Sequence, residues 1–344
     1  MSRPSRTADF DYEAPPSAIA QRPLPDRAAS RLLVLERRSG RVIHRTFREF
    51  PTLVSPGDVL VVNASKVIPA RLIGRRDNGR PAEILLVHAE PDGAWMAMVH
   101  PGGKLKAGRS VRFGDEAVAT IEEVLGGGLR KIRFSGSLDA GTLMARHGTT
   151  PLPPYITRPA DADDRERYQT IFARVGGSVA APTAGLHFTA QVVHALEERG
   201  ARLVEVVLHV GPGTFKPVET DDPDAHVMHA EWYEVPEAAA TAVNAAHQAG
   251  ARVWAIGTTA TRTLESAVSG GGVQAGSGWT NLFLRPPCTF RAVDALLTNF
   301  HLPRSTLLML VAAFAGYEHT MAAYRAAIAG RYRLYSYGDA MAVV

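Results

Sequence analysis

The pattern His226-x-x-His229-x-Glu231 places two imidazoles and a carboxylate within six residues. A histidine titrates near neutral pH and a neighbouring carboxylate tunes it, so the group suits a general base or a pair that positions substrate. It is also half of a zinc site, but the spacing is not H-E-x-x-H and no third ligand can be assigned, so no metal is expected. A serine nucleophile has no support either, because no G-x-S-x-G elbow occurs. Other strings have the make-up of a ligand pocket. Residues 178–189 (SVAAPTAGLHFT) are mostly small, which lets backbone approach a ligand at Thr183 and Gly185, and His187 falls at the pocket edge. Residues 209–215 (HVGPGTF) offer His209, Gly211, Gly213 and Thr214 in a tight turn; G-x-G-x-x-G is incomplete there, so it is no dinucleotide fingerprint. Gly257-Thr258-Thr259 opens a helix that carries Arg262, and the free N–H groups of such a start suit a carboxylate. The plain alternative is a threonine-capped helix.

These residues share a position, because each group follows a strand. Runs at 58–62, 203–209, 252–256 and 292–297 lead into Asn63, His209-Val210-Gly211, Gly257-Thr258-Thr259 and the Asn299–His301 segment respectively. In open α/β sheets ligands bind beyond the carboxyl ends of strands. Helices are expected at 189–199, with Thr189 as N-cap and Gly200 as stop, at 236–248, and at Thr306–Ala315. Between residues 71 and 134 the pattern differs: short β-like runs are separated by Asp77-Asn78-Gly79, Asp92-Gly93, Gly102-Gly103 and 126–128. The expected fold class is therefore α/β. A discontinuous main domain (1–70 and 141–344) with a mainly parallel sheet carries an inserted small β-barrel domain (71–140). Residues 269–278 (SGGGVQAGSG) read as a flexible loop, a lid or substrate loop.

Bulk properties narrow the class. Hydrophobic residues make up 46% and charged residues 21%, the balance of a globular chain and not of a disordered one. No apolar run approaches the roughly 20 residues of a membrane helix, and the start lacks the apolar core of a signal peptide. With a single cysteine there is no internal disulfide and no thiolate metal site. A cytoplasmic protein away from membranes is the simplest expectation, with no obligate protein partner evident. The net charge of +4 tolerates a polyanionic partner without requiring one.

Taken together, the strings at 177–189, 208–215 (LHVGPGTF), 226–231 (HVMHAE), 257–266 (GTTATRTLES), 296–310 (LLTNFHLPRSTLLML) and 335–341 (YSYGDAM) resemble the S-adenosylmethionine:tRNA ribosyltransferase-isomerases of queuosine biosynthesis. Residues 67–72 (VIPARL), which include Arg71, and 152–156 (LPPYI) fit as well, and the likeness runs in order along nearly the whole chain. The resemblance implies an α/β domain with an inserted β-barrel. It implies that the ribosyl part of S-adenosylmethionine (SAM) moves onto 7-aminomethyl-7-deazaguanine at the wobble position of a tRNA with a GUN anticodon. There it is isomerised to give epoxyqueuosine, with release of adenine and methionine. SAM is consumed as substrate, and no cofactor is implied.

That chemistry assigns tasks. The sulfonium acidifies the adjoining ribose methylene, so a base is needed there, and His187, His209, His229 and Glu231 are the candidates. Arg262 or the 257–259 helix start would hold the methionine carboxylate, and Asn63 and Asn299 the ribose hydroxyls, with His301 beside them. The chain departs from the family pattern in three places. Asn63-Ala64-Ser65-Lys66 stands for Asn-Asp-Thr-Arg, His100-Pro101-Gly102-Gly103-Lys104 for a more basic string, and Pro286-Pro287-Cys288 for Pro-Gly-Tyr. These departures leave open a paralogous enzyme with a non-tRNA acceptor, or an inactive protein that binds SAM or RNA.

Overall fold

The computed structural model describes residues 4–344 apart from Lys216. Its backbone is a nine-stranded sheet: β1 (Arg31–Leu35), β2 (Val42–Thr46), β3 (Val59–Asn63), β4 (Arg202–Leu208), β5 (Glu231–Val235), β6 (Val253–Ile256), β7 (Gly276–Thr280), β8 (Ala295–Asn299) and β9 (Ala340–Val343). The strand order is β7-β5-β4-β3-β6-β8-β9-β1-β2. At the centre, β4, β3, β6 and β8 run parallel. β3, β6 and β8 are buried along their whole length, and continuous apolar runs such as VLVVN and VWAI are what a sheet covered on both faces demands.

Side chains alternate between two cores. Val59, Val61, Val253, Ala255 and Leu296 face the helices Glu237–Gln248, Thr258–Ser266, Thr306–Ala315 and Tyr317–Ala329. Leu60, Val62, Trp254, Ile256 and Leu297 face the helix Ala190–Glu198 and the Phe47–Leu53 turns. Thr189 caps the former, its hydroxyl accepting from the Val192 N–H at 3.3 Å. β1 and β3, early in the chain, lie in the same sheet as the later strands.

Two expectations are corrected. The sheet is mixed, because β2, β5, β7 and the β8–β9 pairing are antiparallel: the chain returns through hairpins and edge strands at both sides of the parallel centre. Nor is 269–278 a loose loop. Val268–Ser269 and Gly272–Val273 form a small hairpin, and Gly276–Thr280 is β7, paired with β5 over its full length.

Six further strands, within Arg71–Arg76, Pro81–Ala89, Trp95–His100, Ser110–Phe113, Ala117–Val124 and Leu129–Gly136, pair antiparallel. The last pairs with both Trp95–His100 and Ala117–Val124, so the ladder of hydrogen bonds closes on itself around a core of its own. Gly74 belongs to this closure. A Cβ there would lie 2.6 Å from the Arg112 carbonyl oxygen, so only glycine lets the strands approach. No helix among the described residues is long and apolar enough to cross a membrane.

Candidate active site

The parallel centre of the sheet brings His209, Asn63, Gly257 and Asn299 to one edge, at the carboxyl ends of β4, β3, β6 and β8. The two asparagines do different work. Asn63 is occupied by backbone: its Nδ2 donates to the Leu208 carbonyl at 3.0 Å, while its Oδ1 accepts from Leu208 N at 3.1 Å and Ser65 N at 3.0 Å. Asn299 donates through Nδ2 to His187 Nε2 at 3.2 Å and to the Tyr335 carbonyl at 3.2 Å, and its buried Oδ1 has no partner.

His187 is buried and bonded on both ring nitrogens. An amide nitrogen can only donate, so Nε2 accepts and the proton sits on Nδ1, which reaches Ser30 Oγ at 2.8 Å. Burial, with the Arg27 and Arg333 charges behind it, pushes the His187 pKa down to about 3. The ring is therefore neutral and anchors Asn299. His301 is likewise driven to about 3 by burial, its Nε2 lying 2.7 Å from Thr298 Oγ1.

Asn299, His301, Thr183, Thr214, Tyr155 and Tyr335 line a polar cavity of about 30 Å³, space for one small polar group. Tyr335 holds a left-handed backbone, φ 70°, rare for a bulky residue. Near Thr183, the helix Thr258–Ser266 starts without a side-chain cap. The residue at its cap position is Gly257, at φ 97°, and a Cβ there would lie 3.5 Å from that of Ala184. The buried Thr259 hydroxyl has no partner, so the threonine-capped helix is not what forms.

Glu231 and Arg262 form an ion pair, 5% exposed each. The second carboxylate oxygen accepts from Gly211 N–H at 2.7 Å and Thr214 hydroxyl at 3.3 Å, and Arg262 Nε donates to the Leu282 carbonyl at 3.1 Å. The pair thus bolts the 211–214 turn to the Thr258–Ser266 helix. Gly213 leaves no room for a Cβ, which would meet the His229 ring at 2.5 Å; the same ring faces Gly127 of the six-stranded unit.

On the other side of the turn lies a cavity of about 280 Å³ between the two sheets. Its walls include Trp95 and His88 from the six-stranded unit and His209, Trp232 and Trp279 from the nine-stranded sheet, three of the chain's four tryptophans. The His209 ring stacks on Trp232, centroids 5.2 Å apart at 20°, and its buried Nδ1 has no partner. Burial lowers the His209 pKa. Trp279, 57% exposed, lies opposite Trp232 across β5 and β7 and touches His88.

Several residues singled out from the sequence stand elsewhere. Arg71 pairs with Glu83 at 3.0 Å in the six-stranded unit and donates to the Leu152 carbonyl. Gly185 is buried against Thr170, which a Cβ would meet at 2.8 Å. His226 packs on Phe283, away from Glu231's partners. Among the described residues no three His, Cys, Asp or Glu side chains converge as a metal site.

The family model described as "Queuosine biosynthesis protein" matches residues 7–343. The chain belongs to that family. A relative from Heliobacterium modesticaldum is 50% identical over 97% of this chain and 98% of its own length. One from Anaeromyxobacter sp. strain Fw109-5 is 52% identical over 98% of both. Both are named S-adenosylmethionine:tRNA ribosyltransferase-isomerase. The crystal structure of the S-adenosylmethionine tRNA ribosyltransferase of Thermotoga maritima is similar to this queuosine-family chain, with a TM-score of 0.57. It is 38% identical over 98% of this chain and 100% of that one.

Proposed function

We propose that this protein is a SAM:tRNA ribosyltransferase-isomerase. It transfers the ribosyl part of SAM to the aminomethyl group of 7-aminomethyl-7-deazaguanine at the wobble position of a GUN-anticodon tRNA, isomerises it to the epoxyqueuosine form, and releases adenine and methionine. The observation that carries this reading is likeness at about half of all positions, over nearly full length, to proteins bearing that name. The main unit, 1–70 and 141–344, supplies donor site and chemistry. The closed antiparallel unit of 71–140, a barrel inserted between the halves, supplies one wall of the acceptor site.

The uncapped helix start at 257–259 receives the methionine carboxylate, because unpaired N–H groups and the helix dipole favour an anion there. Asn299 Oδ1, held in place by His187, accepts from a ribose hydroxyl. The flat acceptor base enters the tryptophan-lined cavity, where stacking on an aromatic face is the usual way to hold an unstacked base. His209 sits in that wall with a nitrogen lacking a partner and stays neutral at pH 7, so it serves as the base for the ribose methylene made acidic by the sulfonium. Glu231 and His229 shape the 211–214 turn between donor and acceptor. The test is adenine and methionine release from SAM, with and without tRNA bearing the 7-aminomethyl base. Release only with that tRNA is expected; release without it, or none at all, overturns the assignment.

A further inference from the structure

In the six-stranded unit, several charged side chains are held in ion pairs. Lys131 and Arg133 hold Asp92, Arg133 also holds Glu122, and Arg71 holds Glu83. The far end is different. The hairpin joining Arg71–Arg76 to Pro81–Ala89 carries Arg75, Arg76 and Arg80, and the neighbouring Ser110–Phe113 strand and the loop before it carry Arg112, Arg109 and Lys104. Five of these six are exposed, and among the described residues none forms an ion pair. Arg75 and Arg112 are register partners across the ladder. All of these cations but Arg80 line two open grooves of about 700 and 220 Å³, with Asp77 and Asp115 as the only carboxylates in their walls. Arg76 Nε is buried without an acceptor, a guanidinium N–H with nothing yet to bond.

Unpaired cations repel one another, so six of them concentrated here carry a cost that an anionic partner would offset. The strand Pro81–Ala89 connects the two ends. Pro81 lines the larger groove and Ala89 the tryptophan cavity, and the strand between them spans about 26 Å at about 3.3 Å per residue. A partner lying along this strand would place one base in the cavity and its phosphates against the cationic hairpins. We propose that this end of the unit binds the phosphate backbone of the tRNA whose base enters the cavity, so that Pro81–Ala89 sets the distance between backbone grip and base seat. The inference rests on the reading that the protein acts on tRNA.

The full-length protein with Arg75→Ala, Arg109→Ala and Arg112→Ala combined tests it, by fluorescence anisotropy of labelled tRNA from 50 to 300 mM salt. Each phosphate contact contributes about 0.7–0.9 to the slope of log affinity against log salt. The triple variant should therefore lose about 2 of that slope and bind tRNA roughly tenfold or more weakly near 0.15 M salt, with SAM affinity unchanged. Lysine at the same three positions should restore most of the slope, since charge and not fork geometry carries this term. A triple-alanine variant that binds tRNA with the affinity and slope of the parent overturns the placement while leaving the proposed activity standing. A parent protein that binds no tRNA overturns both.

Discussion

Replacing Glu231 by alanine removes the one carboxylate that, among the described residues, pairs with the buried Arg262 guanidinium. In the variant that cation keeps the Leu282 carbonyl at 3.1 Å and the Thr280 carbonyl at 3.5 Å, neither of which balances its charge. Breaking one half of a buried ion pair costs about 3–5 kcal/mol, against a total stability of about 5–15 kcal/mol. The 211–214 turn also loses the acceptor for the Gly211 N–H and the Thr214 hydroxyl, so the turn should loosen and KM for SAM should rise. Converting both partners to apolar residues of similar size, Glu231→Leu with Arg262→Met, should recover most of the lost stability, because neither buried charge is then left alone. Urea unfolding followed by circular dichroism of the parent, the two single variants and the double closes the cycle. A coupling of about 2 kcal/mol or more is expected. If either single variant costs less than about 1 kcal/mol, or if the two add, the pair is not the bolt described. Glu231→Gln that keeps full stability yet releases no adenine would instead make this carboxylate the catalytic base.

Stability should fall as pH drops from 7 to 5. His187 and His301, held near pKa 3 when folded, gain protons near 6.5 once unfolded, so each should cost about 2 kcal/mol over that interval, read from urea midpoints at each pH. The sign follows from depressed histidine pKa values, since only the unfolded chain takes up protons between 6.5 and 3; a flat profile would contradict it. Gly177→Ala sets a Cβ 2.8 Å from the His209 ring at a φ of 139°, and displacing that ring should lower kcat roughly 10²-fold in single-turnover assays of adenine release. SAM binding by calorimetry should stay near normal, and an unchanged kcat would remove His209 from the chemistry. Trp279→Ala should change thermal stability little, because the side chain is 57% exposed, yet weaken tRNA binding by about 1–3 kcal/mol in anisotropy titrations. Unaltered tRNA affinity would empty the cavity of its assigned base.

The parts of the fold legible from the chain are those whose pattern needs no partner. VLVVN of β3 and VWAI of β6 are apolar throughout because both faces are covered, and Thr189 signals its helix through its own side chain. The strands between 71 and 136 announce themselves by turns. What stayed hidden depends on contacts distant in sequence. GSGWT reads as a loop by composition, and becomes β7 only because β5 offers it a full ladder. AMAV is too short to stand out, and becomes β9 between β1 and β8. The site divides the same way. Residue types at strand ends were readable, but the partner of Glu231 lies 31 residues on, and no local signal says whether that carboxylate is free or paired. The tryptophan cavity was missed because its walls come from two sheets. The one available hint was that tryptophans are few and two of them, Trp232 and Trp279, are neighbours of strings already singled out.

The 211–214 turn explains why a short glycine-proline-glycine motif should matter more than its length suggests. Gly211 lies in the wall of the tryptophan cavity and Thr214 in that of the polar cavity, so one turn separates the two cavities proposed for the acceptor base and the ribose. Glu231 pins both residues at once, and the helix that carries its partner Arg262 is the helix whose uncapped start is proposed to receive the methionine carboxylate. His229 presses on Gly213 from one side and faces Gly127 of the six-stranded unit on the other. A shift of that unit on binding RNA would therefore reach the turn through His229, and the donor helix through Glu231 and Arg262. In the proposed function, Glu231 and His229 are the linkage that sets donor against acceptor. The same proposal gives the proton chemistry to His209, the histidine in the cavity wall whose buried Nδ1 has no partner.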